Sequence, residues 1–145
     1  MNNKKFRKLL RDPKLFFRDM YAKRVMKLKK HLPLKYEGNN QFTIVSAVYN
    51  VEKYLDEYFD SIVKQSLNFK KHIQIILVDD GSTDHSAEII KRWQTKFPKN
   101  IHYFYKENGG QASARNLGLQ HTQTEWVVFT DPDDYLHPDY FKSVD

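Results

Sequence analysis

The chain has 145 residues, of which 40% are hydrophobic and 14% aromatic, and its formal net charge is +6. This composition predicts one folded domain, with or without an appendage, and excludes disorder throughout. The absence of cysteine excludes disulfides, zinc–thiolate sites and cysteine nucleophiles, and it is typical of a reducing compartment. No apolar run approaches the roughly 20 residues that span a bilayer, and the basic N-terminus lacks the apolar region of a secretory signal, so we expect a cytoplasmic protein.

Basic residues are concentrated at the start of the chain. Residues 1–35 contain 13 Lys/Arg and 2 Asp/Glu, a net of +11, whereas the rest contains 11 Lys/Arg and 16 Asp/Glu, a net of −5. An apolar face with helical spacing predicts an amphipathic helix over about 13–31; its members are Phe17, Tyr21, Val25, Leu28 and Leu32. We therefore divide the chain into a basic helical extension with a linker, 1–40, and a second domain, 41–145.

Two interpretations of the basic helix remain open. It could lie on the anionic inner face of the cell membrane as a peripheral contact, or it could pack on the protein's own body or on a partner. Nucleic-acid binding through the Lys/Arg run is the least favoured interpretation, because no known nucleic-acid module is visible. We therefore expect no nucleic-acid partner.

Residues 41–145 alternate between strand and helix patterns. Buried strands are predicted at 42–48, 73–78, 101–105 and 126–130, and helices at 52–64, 86–97, 111–119 and from 138 onward. This alternation predicts a Rossmann-like α/β fold with a mainly parallel sheet flanked by helices. Ligands bind beyond the carboxyl ends of such strands, and unusual polar residues follow all four, so we expect them to share one rim.

Three carboxylates follow the fourth predicted strand, at Asp131, Asp133 and Asp134. Carboxylates this close repel each other unless a cation binds. Oxygen ligands without His or Cys favour Mg²⁺ or Mn²⁺. The alternative is that Asp131 or Asp133 only shapes a turn in which Pro132 fixes φ.

The loops after the first three strands carry complementary groups. Asp79 and Asp80, at the mouth of the second strand, can accept hydrogen bonds from a base or a ribose. A glycine pair, with Gly110 at the start of a helix, lets the backbone approach an anion closely. The planar guanidinium of Arg115 can donate two hydrogen bonds to a phosphate. Tyr49, at the end of the first strand, can stack on a base. Together these groups suit a nucleoside diphosphate with a metal on its phosphates.

Four stretches, 44–50, 76–84, 108–118 and 129–134, resemble the inverting family 2 glycosyltransferases of the A-type fold, in that family's order and spacing. The resemblance covers 42 to about 140. It implies a nucleotide-sugar site formed by Ala47, Tyr49, Asn50, Asp79, Asp80, Gly110, Arg115, Asp131 and Pro132. It further implies that Asp131 and Asp133 form the metal-binding Asp-x-Asp pair, and that Asp134 stands near the donor sugar.

The resemblance implies a hexosyltransferase that moves a sugar from a UDP-sugar or similar donor to a glycan or lipid-linked acceptor in cell-surface polysaccharide synthesis. Members of the family take the catalytic base from a downstream half, so we expect that base beyond Asp145, with Asp134 as the one candidate in this chain. By this reading the chain is a truncated, donor-binding part. The alternative is a non-catalytic fragment that binds nucleotide-sugar or docks on a partner. A receiver-like signalling domain is disfavoured, because its acid pair should follow the first strand.

Overall fold

A computed structural model of the protein describes residues 41–142. The predicted basic helix and the linker lie outside the described residues, and the division at residue 40 stays a prediction. The described elements, in chain order, are β1 (Phe42–Val48), α1 (Leu55–Val63), α2 (Phe69–His72), β2 (Ile73–Asp80), α3 (Ser86–Lys96), β3 (Ile101–Lys106), α4 (Gln111–Gln120) and β4 (Trp126–Phe129). No helix within 41–142 is long and apolar enough to cross a membrane.

The four strands form one parallel sheet in the order β3-β2-β1-β4. Central β1 pairs with β2 from Phe42↔Ile73 onward, and with β4 from Phe42↔Trp126 onward. The chain therefore builds the sheet in one direction through β3 and then returns to the other side of β1. The reversal creates a switch point between the carboxyl ends of β1 and β4, which is where a parallel sheet opens a crevice for a ligand. The predicted fold class is confirmed.

One face of the sheet carries the main hydrophobic core. Helices α1 and α3 cover this face with side chains that the helical spacing predicted, among them Leu55, Phe59, Ile62 and Ile90, all fully buried. Trp93 of α3 stacks on Phe59 at a ring-centroid distance of 5.1 Å. Burial of large apolar side chains stabilises the fold by about 1.5–3 kcal/mol each.

The opposite face is covered by α4 through small side chains. Ala114 and Gly118 are buried against β1 and β2, whereas Ala112 is exposed. A Cβ added to Gly118 would overlap Cγ1 of Val45. The close approach of α4 therefore requires glycine at this position, and it holds the start of α4 beside the switch point.

Several predicted boundaries were wrong for local reasons. Helix α1 begins at Leu55 rather than residue 52, because the backbone N–H of Glu52 donates to Asp84 and its carboxylate accepts from the N–H of His85. Strand β2 continues to Asp80, so both acids lie inside the strand. The short helix α2 was not predicted, and residues 138–141 form a turn instead of the predicted helix.

Candidate functional site

A cleft of about 360 Å³ opens at the carboxyl ends of β1, β2 and β4. Its lining combines apolar and polar groups from the carboxyl ends of β1 and β2, the start of α4 and the loops after β1, β3 and β4. These residues are Ala47, Val48, Tyr49, Val51, Asp80, Asn108, Gly110, Gln111, Asp131, Pro132 and Asp133. The cleft therefore lies at the switch point that the strand order defines.

Most of the predicted site residues meet in this cleft. Those that line it are Ala47, Tyr49, Asp80, Gly110, Asp131, Pro132 and Asp133. Asn50, Asp79, Arg115 and Asp134 are not among the lining residues, although Arg115 contacts one of them. The common rim is thus a feature of the structure, while the role of each residue stays a prediction.

Asp80 is held by the glycine loop. Its Oδ1 accepts hydrogen bonds from the Lys106 Nζ at 2.5 Å and from the Gly109 N–H at 2.9 Å. Its Oδ2 accepts from the Gly110 N–H at 2.7 Å. Burial alone would raise the pKa of Asp80, but these donors outweigh burial and hold its pKa below the ordinary value. The carboxylate therefore stays ionised and fixes the loop that enters α4.

The conformation of Gly110 explains why the loop needs glycine there. Its φ of +89° lies in a region that other residues rarely adopt. With this geometry the Gly110 N–H points at Asp80 and the N-terminus of α4 begins beside the cleft. The same electrostatics that favour an anion at a helix N-terminus are available here for a phosphate.

Asp79 has both carboxylate oxygens engaged within the protein. Oδ1 accepts from the Ser82 N–H at 2.8 Å, which closes the turn around Gly81, and Oδ2 accepts from the Tyr103 hydroxyl at 2.8 Å. Burial and the nearby Asp79 charge both raise the pKa of Tyr103, so this hydroxyl remains a donor. Asp79 is placed to hold β2 against β3, and its predicted contact with a ligand gains no support from this geometry.

Asn50 connects the loop after β1 to the loop after β2. Its Oδ1 accepts from the Thr83 N–H at 2.8 Å, and its own N–H donates to the Ser82 hydroxyl at 3.1 Å. The residue has a φ of 53°, a left-handed conformation that asparagine tolerates better than most residues. Asn50 thus fixes the shape of the cleft wall behind Tyr49, whatever it contributes to a ligand.

Asp131 is partly engaged and partly open. Its Oδ1 accepts from the Arg115 guanidinium at 2.5 Å and from the Gln111 side chain at 3.0 Å. The Arg115 guanidinium also lies 5.6 Å from the Phe129 ring centroid, in cation–π range. No residue within 41–142 donates to Asp131 Oδ2. The predicted partner of Arg115 was a phosphate, and its partner among the described residues is this carboxylate.

Asp133 differs from the other cleft acids because it is exposed and has no hydrogen-bond or ion-pair partner within 41–142. Pro132 occupies the second position of a turn closed by the Asp134 N–H on the Asp131 carbonyl at 3.0 Å. The structure therefore contains the turn that the alternative interpretation predicted around Pro132. The hydrogen bond that closes this turn joins backbone atoms, so no described residue engages the Asp133 carboxylate.

The donor set fits a hard divalent cation. Asp131 and Asp133 supply carboxylate oxygens to the same cleft, and Mg²⁺ and Mn²⁺ sites commonly use one or two carboxylates together with substrate phosphates. Within 41–142 no three His, Asp, Glu or Cys side chains form a complete metal-binding group. A cation here would thus need phosphate oxygens or water as further ligands.

Tyr49 is half-exposed at one wall of the cleft, with 52% of its surface accessible. A ring that lines a cleft without being packed into the core can stack on a flat ligand. Tyr49 lies on the β1 side and Asp133 on the β4 side. A ligand that contacts both must cross the switch point.

Sequence reasoning assigned no role to three polar residues of the site. Asn108 and Gln111 line the cleft, and Lys106 pairs with Asp80 beneath it. The Asn108 side chain also donates to the Asp80 carbonyl at 3.0 Å. The position of Asn108, directly before the glycine pair, was a signal that could have identified it. The pairing of Lys106 depends on the register of β3 with β2 and has no local signal.

Comparison with known proteins identifies the family. The model of Glycosyl transferase family 2 matches residues 43–144. The minor teichoic acid biosynthesis protein GgaB of Bacillus subtilis is 43% identical over 106 residues, which are 73% of this chain and 12% of GgaB. The chain belongs to glycosyl transferase family 2.

Solved structures share the fold. TarS of Staphylococcus aureus, in complex with UDP, superposes with a TM-score of 0.64 at 29% identity, over 72% of this chain and 30% of the other. TarS has also been solved with UDP-GlcNAc, with a TM-score of 0.66 at 32% identity, over 72% and 30%. A mannosyltransferase from Pyrobaculum calidifontis in complex with GDP-Man and Mn²⁺ gives a TM-score of 0.63 at 26% identity, over 83% and 36%.

Proposed function

We propose that the chain is the donor-binding part of a glycosyltransferase that uses a UDP-sugar or similar nucleotide sugar. The observation that carries the proposal is the cleft itself, in which Tyr49, the Gly110 loop and the Asp131–Asp133 turn meet at a switch point. Family membership and the UDP and UDP-GlcNAc complexes of TarS support the same donor class. The chain spans 12% of GgaB and 30% of the TarS chains, so activity of a whole enzyme is part of the proposal.

Groups in the cleft and directly beside it have proposed tasks. Tyr49 stacks on the base, and Asp80 keeps the Asn108–Gly110 loop in position beside the nucleoside. The N-terminus of α4 and Arg115 face the diphosphate side. This division is supported by the 52% exposure of Tyr49 and by the hydrogen bonds that hold Asp80 inside the wall. Asp134 is the proposed neighbour of the donor sugar.

Asp131 and Asp133 are the proposed ligands of Mn²⁺ or Mg²⁺. A cation bound there would neutralise the charge that develops on the departing diphosphate. The proposal is supported by the open carboxylate of Asp133 and by the Mn²⁺ in the mannosyltransferase neighbour. Arg115 and Gln111 hold one oxygen of Asp131, and we expect this hold to leave the other oxygen to the cation.

The proposed acceptor is a glycan or lipid-linked polymer of the cell surface. Relatives are named as teichoic acid biosynthesis proteins and as a poly(ribitol-phosphate) beta-N-acetylglucosaminyltransferase, which supports this class. The proposed location is cytoplasmic, with peripheral membrane contact through the basic residues of 1–35. This segment contains 13 Lys/Arg and 2 Asp/Glu. Sedimentation with anionic and with neutral vesicles tests this contact, and equal binding to both would contradict it.

Calorimetric titration of the full chain with UDP tests the donor site. We expect UDP to bind with Mn²⁺ and at least about tenfold more weakly without it, a difference of about 1.4 kcal/mol. UMP, which lacks the second phosphate, should show little dependence on metal. Equal UDP affinity with and without Mn²⁺ would remove the metal proposal, and no UDP binding at all would remove the donor-site proposal.

A transfer assay separates the enzyme from the alternative fragment. The full chain is incubated with UDP-GlcNAc, Mn²⁺ and a polyol-phosphate polymer, and incorporated sugar is measured. Incorporation supports a catalytic part. Binding of UDP without any incorporation supports the alternative, a nucleotide-sugar-binding module that acts with another polypeptide.

A further inference from the structure

Three hydroxyl groups form a closed triangle beneath the Asp131–Asp134 turn. The Tyr58 hydroxyl lies 2.5 Å from the Ser46 Oγ and 2.6 Å from the Thr130 Oγ1, and the two smaller hydroxyls are 3.0 Å apart. All three residues are buried, with Tyr58 only 1% exposed. We call these three residues the hydroxyl triad.

The triad joins three elements that surround the cleft. Ser46 lies in β1 directly before the cleft residue Ala47, Thr130 follows β4 directly before Asp131, and Tyr58 belongs to α1. The ladder between β1 and β4 ends at Val45↔Phe129. Ser46 and Thr130 directly follow this last pair. The triad therefore links the two chain segments beyond the end of the ladder, next to the turn that contains Asp131 and Asp133.

The triad can satisfy every hydroxyl proton it contains. Three hydroxyls in a ring can each donate one hydrogen bond and accept another. Burial raises the pKa of Tyr58 to about 12, so its proton remains in place at ordinary pH. A buried network in which every member is satisfied specifies one arrangement, and removal of one member leaves one remaining hydroxyl proton without an acceptor in the triad.

We propose that Tyr58 is a positioning residue that acts through Thr130 to hold the Asp131–Asp134 turn where its carboxylates meet the metal-bound diphosphate. The inference rests on the proposed function of the same cleft. Tyr58 does not line the cleft, so its effect is indirect. The triad fixes the metal side relative to the β1 end that carries Tyr49.

Paired substitutions at Thr130 separate the hydroxyl from the methyl group. Thr130→Val keeps the shape and removes the hydroxyl, whereas Thr130→Ser keeps the hydroxyl and removes a methyl group. Loss of a group that orients metal ligands typically weakens metal affinity about tenfold or more. We therefore expect Thr130→Val and Tyr58→Phe to raise the Kd for UDP with Mn²⁺ about tenfold, and Thr130→Ser to leave it within about twofold.

A matched control accounts for general destabilisation. Ile62→Val shortens a fully buried side chain one turn further along the helix that contains Tyr58, and it leaves all three hydroxyls of the triad in place. We expect Ile62→Val to lower stability while the Kd for UDP with Mn²⁺ stays at the wild-type value. If Tyr58→Phe and Thr130→Val also keep the wild-type Kd, the positioning role is wrong.

Amide hydrogen exchange tests positioning without any ligand. The Asp134 N–H donates to the Asp131 carbonyl at 3.0 Å, so its exchange reports the closure of the turn. We expect faster Asp134 exchange in Tyr58→Phe and Thr130→Val than in Ile62→Val. Equal exchange in all three variants would overturn the inference even if wild-type protein binds UDP. Failure of wild-type protein to bind UDP would instead count against the proposed function.

Discussion

Two acidic segments border the cleft, and their carboxylates have opposite surroundings. At the end of β2, Asp79 and Asp80 are buried, and protein donors occupy all four carboxylate oxygens. In the turn after β4, Asp133 is exposed and no described residue donates to it. The same type of side chain is therefore part of the framework at the end of β2 and open to solvent in the turn after β4. The difference lies in the donors that surround each carboxylate.

The functional consequence concerns what each segment can offer a ligand. A carboxylate whose hydrogen bonds are already made to the protein can shape a wall but has few lone pairs left for a cation. An exposed carboxylate loses little by gaining a cation, because it forfeits no protein partner. Asp131 lies between the two cases, because one oxygen is held by Arg115 and Gln111 while the other has no donor among the described residues.

Removal of the framework carboxylate should have the largest effect. Asp80→Ala leaves the Lys106 ammonium and two loop N–H groups without their acceptor, so we expect a loss of about 3 kcal/mol in the free energy of unfolding. Chemical denaturation measures this loss. Asp133→Ala is the matched control and should stay within about 0.5 kcal/mol of wild type. Equal losses of unfolding free energy in Asp80→Ala and Asp133→Ala would contradict the claim that only the β2 acids support the fold.

Removal of the open carboxylate should affect ligand binding instead. We expect Asp133→Ala to weaken UDP binding in the presence of Mn²⁺ at least about tenfold, or about 1.4 kcal/mol, because a direct ligand is lost. Without metal, the variant and the wild type should bind UDP equally. Calorimetry provides both numbers. If Asp133→Ala unfolds the domain, Asp133 is a turn residue and the metal assignment fails.

Asp131 provides an intermediate test through its partner Arg115. Arg115→Lys keeps the positive charge but loses the planar fork that holds Oδ1. Since the pair is partly exposed, we expect a stability loss of about 0.5 kcal/mol and a Kd for UDP with Mn²⁺ raised about twofold to threefold. Denaturation and calorimetry on the same sample measure both. A Kd that rises only in the absence of metal would contradict the proposed orientation of Asp131.

The smallest expected effect is on the pH dependence of stability. Because the folded pKa of Asp80 lies below the ordinary value of 3.8, its contribution is present above pH 3.8 and is lost as pH falls through the folded pKa. Wild type and Asp133→Ala should share this loss, whereas Asp80→Ala should lose less stability over the same interval. Parallel curves for all three proteins would show that Asp80 is not held as the structure indicates.

The sequence was a good guide to the strands and to the position of the cleft. Continuous apolar runs gave all four strands, and the rule for parallel sheets placed Tyr49, Asp80 and Asp133 on one rim, where the structure has them. These predictions worked because apolar periodicity and strand order are properties of the chain itself. The short helix α2 has too few residues for a periodic signal, so it was missed.

The sequence could not assign tasks to individual acids. The state of Asp80 depends on Lys106 and the glycine loop, which come close only when β3 pairs with β2. The hydroxyl triad likewise joins Ser46 to Thr130 across 84 positions. Such contacts have no local pattern, because each partner by itself is an ordinary residue for its element.

Paramagnetic broadening in the NMR spectrum of the full chain tests the central claim most directly. Mn²⁺ broadens the amide signals of nearby residues, so its position can be read along the sequence when Mn²⁺ is added with UDP. The account predicts broadening in three segments that are distant in sequence, namely 47–51, 108–111 and 131–134, and its disappearance from these segments in Asp133→Ala. Broadening centred elsewhere, for example on a second groove, whose lining includes Asp56, Glu57 and Asp60 together with Lys64 and Lys96, would contradict it.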